Sequence, residues 1–408
     1  MRAYGIDRRQ FLRLALGAGS LPMAWRLWAA PAVHPGPRFL FVFLRGGYDA
    51  LSALVPYGEP FYYEARPNIA LARPDPANLE AAVPLDHRWA LHPSVSDALK
   101  PFWDAKQLAF VPFTGTGFVS RSHFQAQDWV ELGQAPEARP ASGSGFLNRL
   151  LTELNGARGS ATGVSFTPTL PPSFHGPVPV ANWPLSGSRR GKINPGLEEL
   201  ILAMYDEHAL EDLVRDGLGL RREISLQLQQ EMQEASRAAL PAGSFALESA
   251  RMGRLLCDHP EYLLGFVDVG GWDTHAGQGA ARGALSSRLR DLAEGLQALA
   301  RELGSEWQRT LVVVMSEFGR TFRENGSRGT DHGHGTTLWV LGGGIQGGAI
   351  RGEQGGLGSG DLHQDRDLPV LNEYRDVLAG LLAQHYGLGS EALARVFPAS
   401  SPRNLGML

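Results

Sequence analysis

Six consecutive apolar residues, Phe39-Leu40-Phe41-Val42-Phe43-Leu44, constrain this chain more than any other feature. A half-exposed strand alternates apolar and polar residues, whereas an uninterrupted run of strand length belongs to a strand covered on both faces. The run stops at Arg45-Gly46-Gly47-Tyr48-Asp49, where paired glycines predict a sharp loop. The pattern recurs. Leu108 to Phe113 precedes a Gly/Thr-rich turn, Leu263 to Val269 ends at Gly270-Gly271-Trp272-Asp273, Leu311 to Met315 ends at Ser316-Glu317, and Thr337 to Leu341 is a fifth run. Helical patterns lie between them, at Arg121 to Leu132, Glu198 to Asp216, Arg221 to Ala239, Arg282 to Leu303 and Glu373 to Tyr386. Strands alternating with helices predict an α/β fold with a mostly parallel central sheet, helices covering both faces. With 43% hydrophobic and 20% charged residues, the chain has the apolar content for a sizeable core.

Polar residues able to bind metal stand just past the ends of several runs, at Asp49, Asp273 and Glu317. The carboxyl edge of an open α/β sheet is where ligands bind. Asp273-Thr274-His275 places an acid and an imidazole in one tight loop, a pairing suited to zinc, manganese and similar divalent ions; the alternative is a turn-capping Asp beside a solvated His. Thr330-Asp331-His332-Gly333-His334-Gly335 is denser, with glycines that permit close backbone approach. Glu317 costs desolvation at the end of an apolar strand unless a cation pairs with it, either a metal or Arg320. Asp49 reads as a ligand candidate, a role compatible with its also serving as N-cap for the segment that follows. Ser122, at the start of a helix, is either a plain N-cap or a nucleophile whose pKa a metal lowers, with Ser120 as its substitute. Arg121 would neutralise substrate charge. His87, His92, His175, His259, His363 and His385 read as structural or surface residues, and the lone Cys257 as a small buried apolar one.

The N-terminus carries an address. Asp7-Arg8-Arg9-Gln10-Phe11-Leu12-Arg13 followed by a weakly apolar run to Trp28 matches a twin-arginine signal, with a small-x-small cleavage site at Ala30-Pro31-Ala32. This predicts a signal peptide over 1–32, recognition by the twin-arginine export machinery, and a periplasmic or secreted mature chain over 33–408. Within that chain, 168–240 is expected to be an insertion or helical excursion. No run approaches the length of a membrane span. The net charge of −4 argues against nucleic-acid binding.

Taken in order, the twin-arginine start, FLRGGYDALS, RSHFQAQDWVELG, GGWDTHAGQ, VVVMSEFGRT and DHGHGTTLWVLGGGIQGG resemble the bacterial family called domain of unknown function 1501. That family is similar to the alkaline phosphatase superfamily, which includes sulfatases and phosphodiesterases. The resemblance implies an alkaline-phosphatase-like α/β fold and one or two zinc or manganese ions. It makes Asp49, Asp273, His275, Glu317 and His332 or His334 the metal ligands, with Ser122 the nucleophile. The chain departs from the superfamily pattern in its D-x-H spacing and in having Glu317-Phe318 where an Asp-His pair is usual. The expected activity is hydrolysis of a phosphate or sulfate ester on a small molecule or glycan. The alternative is a secreted binding or assembly protein with a degenerate metal site. A metallopeptidase is disfavoured because no H-E-x-x-H motif is present.

Overall fold

The computed structural model describes residues 36–135, 143–158, 161–185 and 240–408. The expected signal peptide at 1–32, the two helices expected between 198 and 239, and most of the expected insertion lie outside those residues. The longer strands are β1 (Arg38–Leu44), β2 (Leu108–Gly115), β3 (Thr162–Ser165), β4 (Tyr262–Gly270), β5 (Thr310–Ser316) and β6 (Thr336–Leu341). They lie side by side as β2-β6-β5-β1-β4-β3, with short strands adding to both edges. The central β1 pairs in parallel with both β4 and β5, and β3 is parallel to β4. β6 alone among these six runs antiparallel, wedged between β5 and β2. The sheet is therefore mixed and mostly parallel.

Alternation along β1 shows why its sequence is apolar throughout. Leu40, Val42 and Leu44 join one buried cluster, while Phe39, Phe41 and Phe43 join another on the opposite face. The first cluster is closed by α1 (Pro93–Asp104), α4 (Ala242–Asp258) and α5 (Ala284–Leu303), through residues such as Leu99, Met252 and Leu289. The second is closed by α3 (Phe146–Arg158) and α6 (Tyr374–Tyr386), through Leu150 and Leu378 among others. Helices thus cover both faces, and each buried Phe or Leu of β1 contributes roughly 1.5–3 kcal/mol by leaving water.

The register sets the site. Leu44 pairs with Ser316 on one side and with Val269 on the other, so β1, β4 and β5 end level with one another. The loops opened by Arg45, Gly271 and Glu317 therefore leave the same edge together. Gly46, at φ +116°, passes so close to the β4 loop that a Cβ there would sit 2.9 Å from the Asp273 nitrogen. One expectation fails nearby: Cys257, near the end of α4, is exposed, because it falls on the outer side of the helix while its neighbour Leu256 packs inward. Among the described residues no helix is long and apolar enough to cross a membrane.

Candidate metal centre

Three imidazoles and one carboxylate converge where these loops meet. His123 opens helix α2 (His123–Leu132), His275 and Asp273 come from the loop after β4, and His332 from the loop before β6. The Nε2 atom of His332 lies 2.9 Å from that of His123 and 3.0 Å from that of His275. Asp273 Oδ1 is 2.9 Å from His275 Nε2 and 3.2 Å from His332 Nε2, and its Oδ2 is 3.5 Å from His123 Nε2. His123, Asp273 and His332 each offer an atom within 4.8 Å of the others.

The far side of each ring fixes what its Nε2 presents. His123 Nδ1 lies 2.7 Å from Glu317 Oε1, His275 Nδ1 3.2 Å from Asp331 Oδ1, and His332 Nδ1 2.9 Å from the Arg121 carbonyl. Carboxylates and carbonyls only accept, so in each pair the ring donates from Nδ1. A neutral imidazole that donates from Nδ1 has its lone pair on Nε2. Those three nitrogens face one another and the Asp273 carboxylate, so each must either take up a further proton, which it can donate to Asp273, or turn its lone pair on a shared cation. An outer carboxylate or carbonyl holding the second nitrogen is also the usual support of a metal-bound histidine. Asp273 Oδ2 adds a second sign: it is buried and has no hydrogen-bond partner. A borderline divalent ion such as zinc, which takes imidazole nitrogen and carboxylate oxygen in a tetrahedral set, fits this group.

Charges around the cluster agree. Burial works against charging His123, but the neighbouring Asp273 and Glu317 carboxylates outweigh burial and push its pKa up to about 9. Without metal, His123 therefore carries the further proton, and a metal would displace it. Burial likewise opposes the charge on Asp273, yet His123, His275, His332 and Arg320 hold its carboxyl far below the usual range. Glu317 resists burial in the same way, through His123 and Gln127, and falls to about 2. Burial depresses His332, which keeps that ring neutral.

Arg320 locks the three loops together. It is fully buried and donates to the carbonyls of Gly46, Gly47, Trp272 and Thr330 as well as to Asp273 Oδ1. Its acidic partner is Asp273, not Glu317. Gly333 is required where His332 bridges to Arg320, since a Cβ there would lie 2.4 Å from the Arg320 carbonyl carbon.

Several expected site residues stand elsewhere. Asp49 is not in the cluster: its carboxylate receives Arg66 through both terminal nitrogens at 2.6 and 3.0 Å, Ser52 at 2.7 Å and Gln278 at 2.8 Å. Those four bonds occupy both oxygens and neutralise the charge, so the Asp49 carboxylate is engaged in a buried ion pair outside the cluster. Glu317 also moves outward by one step. Its Oε1 accepts from His123 Nδ1, the Gly46 nitrogen and Gln127 Nε2, and its Oε2 from Ser316, so it stands behind His123, away from the converging Nε2 atoms. His334 packs its ring on His363, with centroids 4.7 Å apart, and takes no part in the cluster. Sequence leads one to expect one or two ions, and among the described residues one group, His123 with Asp273 and His332, gathers three side chains able to hold one. Ser122 holds the N-cap position of α2, yet its hydroxyl makes no cap bond. The Ser122 nitrogen instead donates to Ser120 Oγ at 3.1 Å. Arg121, 46% exposed, reaches toward Gln364 and Asp367 at 3.2 and 3.4 Å.

His123 belongs to no metal-binding motif in the sequence. Its signal was a histidine in the first turn of a helix that follows a buried strand, directly after the serine considered as nucleophile.

A family model described as "Protein of unknown function (DUF1501)" matches residues 37–397. No curated protein matches the chain by sequence. Among solved structures, one titled "Crystal structure of Ps i-CgsB in complex with k-i-k-neocarrahexaose" aligns with a TM-score of 0.42 and 10% identity, over 90% of this chain and 75% of that one.

Proposed function

The chain belongs to the DUF1501 family, and we propose that it is an exported hydrolase of phosphate or sulfate esters that uses one divalent metal ion, zinc or manganese. The observation that carries this reading is the meeting of three Nε2 atoms with the Asp273 carboxylate, each ring backed at Nδ1 by an acceptor. His123, His275, His332 and Asp273 would hold the ion. When bound, such an ion supplies positive charge that lowers the pKa of a nearby hydroxyl and stabilises negative charge developing on ester oxygens.

The remaining work falls to the chain itself. Ser122 directly precedes ligand His123, and its hydroxyl is bonded to no described residue, so it is available as the nucleophile. The helix at whose N-terminus it stands favours an anion there. Arg121, with its half-exposed guanidinium, would receive the ester's charge. Glu317 and Gln127 hold His123 in one tautomer, and Asp331 does the same for His275. His275 and His332 are each about a fifth exposed, which opens the cluster to solvent on one side and gives a substrate access. The substrate would be a small-molecule or glycan ester met outside the cytoplasm. Residues 1–32 would direct export of the folded chain.

The test is turnover by zinc- and manganese-loaded protein on phosphomonoester, phosphodiester and sulfate-ester panels. Activity is expected on at least one class and should vanish in Ser122→Ala with metal content intact. No turnover by folded, metal-loaded protein on any class would refute the reading. One observation favours a second reading. Four protein donors already complete a tetrahedral site, as in structural zinc centres, which suits a secreted binding or assembly protein. In that case removing the metal lowers stability and no ester is cleaved.

A further inference from the structure

Beside the metal cluster lies a second group of side chains with unmet hydrogen-bonding capacity. His334 and His363 face each other with ring centroids 4.7 Å apart and planes tilted by 37°. His363 Nε2 is buried and has no partner. No ring nitrogen of either histidine hydrogen-bonds to a described residue. The Arg121 guanidinium stands close by, its charge adding to burial and to His363 in lowering the His334 pKa. It is held only loosely, by Gln364 Oε1 at 3.2 Å and Asp367 Oδ2 at 3.4 Å, both in the same turn as His363. Asp367 is itself buried, and Arg366 Nη1 takes both its oxygens at 3.1 and 3.2 Å. Its negative charge is therefore already matched, and Arg121 keeps an unspent one.

The backbone ties this group to the metal centre. The Arg121 carbonyl accepts from His332 Nδ1, so one residue touches a metal ligand with its main chain and the histidine pair's surroundings with its side chain. His334 follows His332 by two residues, across the glycine pressed against Arg320. His363 is fixed by reciprocal backbone bonds with Asp367 at 2.8 and 3.0 Å, closing a turn in which Gln364 and Asp365 both take left-handed conformations. The chain accepts strain at two non-glycine positions to present this histidine.

We propose that His334, His363 and Arg121 form a binding subsite for a tetrahedral oxyanion, phosphate or sulfate, adjoining the metal centre. Two imidazoles supply N–H donors from different loops, and a guanidinium supplies charge and a planar fork suited to such oxygens. A metal is the poorer occupant, since only two imidazoles converge there and the adjacent carboxylate is taken by arginine. The anion comes either from the ester that is cleaved or from a second anionic substituent on the same substrate. This inference rests on the hydrolase reading for its biological sense, but the anion site can be measured without turnover.

The experiment is titration of inorganic phosphate, and separately sulfate, into metal-free and zinc-loaded protein by calorimetry. Arg121→Ala, His334→Gln and His363→Asn are compared with wild type, each checked for folding by its melting curve and for metal by elemental analysis. Metal-free wild type is expected to bind one anion, and each variant at least tenfold more weakly, with the zinc content of the loaded protein unchanged. Arg121→Ala carries the test should a histidine variant fail to fold, because that side chain is half exposed. If the ester's own group occupies the site, zinc loading tightens the single binding event. If a second substituent does, loading leaves that affinity unchanged. Anion binding equal in wild type and in all folded variants, or absent from metal-free wild type, overturns the proposal. Retained binding without ester turnover would sink the hydrolase reading and leave the anion site standing.

Discussion

Replacing Asp49 by Asn separates the role that its place after β1 suggests from the role that the structure gives it. Asp49 is 1% exposed and Arg66 is fully buried, joined by two hydrogen bonds of 2.6 and 3.0 Å. Asparagine keeps the shape and removes the charge, which leaves a guanidinium buried without its counter-ion. Removing one partner of such a pair costs roughly 3–5 kcal/mol. With an unfolding entropy of about 2.1 cal/mol/K per residue over a unit of roughly 370 residues, that loss lowers Tm by about 4–6 °C. Scanning calorimetry on chelator-treated protein reads the shift, and elemental analysis reads metal content in parallel. The expected result is a lower Tm with full metal occupancy after reloading. Joint replacement, Asp49→Leu with Arg66→Met, should recover most of the loss because no unpaired charge remains. An unchanged Tm together with reduced metal content would refute the structural role and return Asp49 to the ligand set.

Other consequences follow from the same geometry. Glu317→Gln should weaken zinc affinity by about 10–100-fold while leaving stoichiometry unchanged, measured by competition with a chelating dye, since it loosens the hold on His123 without removing a ligand. In metal-free protein the folded pKa of His123, about 9, exceeds its ordinary 6.5, so its contribution is complete below pH 6.5 and is lost as pH rises through 9. Urea titrations should therefore show stability falling by about 3 kcal/mol across that window, and the fall should be absent from His123→Asn. Zinc binding at pH 7 should release about one proton, seen as a dependence of calorimetric heat on buffer ionisation enthalpy. Phe41→Ala, in the middle of the sheet, should cost about 3–5 kcal/mol by urea titration without altering metal content.

Much of the fold was legible because burial on both faces writes itself as unbroken apolar runs. The expected strand Phe39 to Leu44 differs from Arg38–Leu44 by one residue, and Leu263 to Val269 lies within Tyr262–Gly270. Strand direction was not legible: Thr336–Leu341 is as apolar as its neighbours, and nothing in its composition marks it antiparallel. The placement of Asp273 and His275 at one sheet edge followed from the rule that strand ends gather ligands, whereas His332 stood out only through its glycine-flanked loop. The roles of Asp49 and Glu317 did not follow, since the rule cannot see which counter-charge arrives from elsewhere. Arg66 lies 17 positions after Asp49, and His123 lies 194 before Glu317, and neither separation forms a motif. The DHGHG loop offered two histidines of equal standing, and only the packing of His334 on His363 separates them.

Metal content of the purified mature protein, measured by elemental analysis beside four variants, tests the central claim most directly. Close to one zinc or manganese ion per chain is expected in wild type. The ion should be lost in His123→Asn and Asp273→Asn and kept in Asp49→Asn and His334→Gln. A wild-type protein that stays empty after incubation with both metals, or one whose metal survives loss of His123 and Asp273, would contradict the claim.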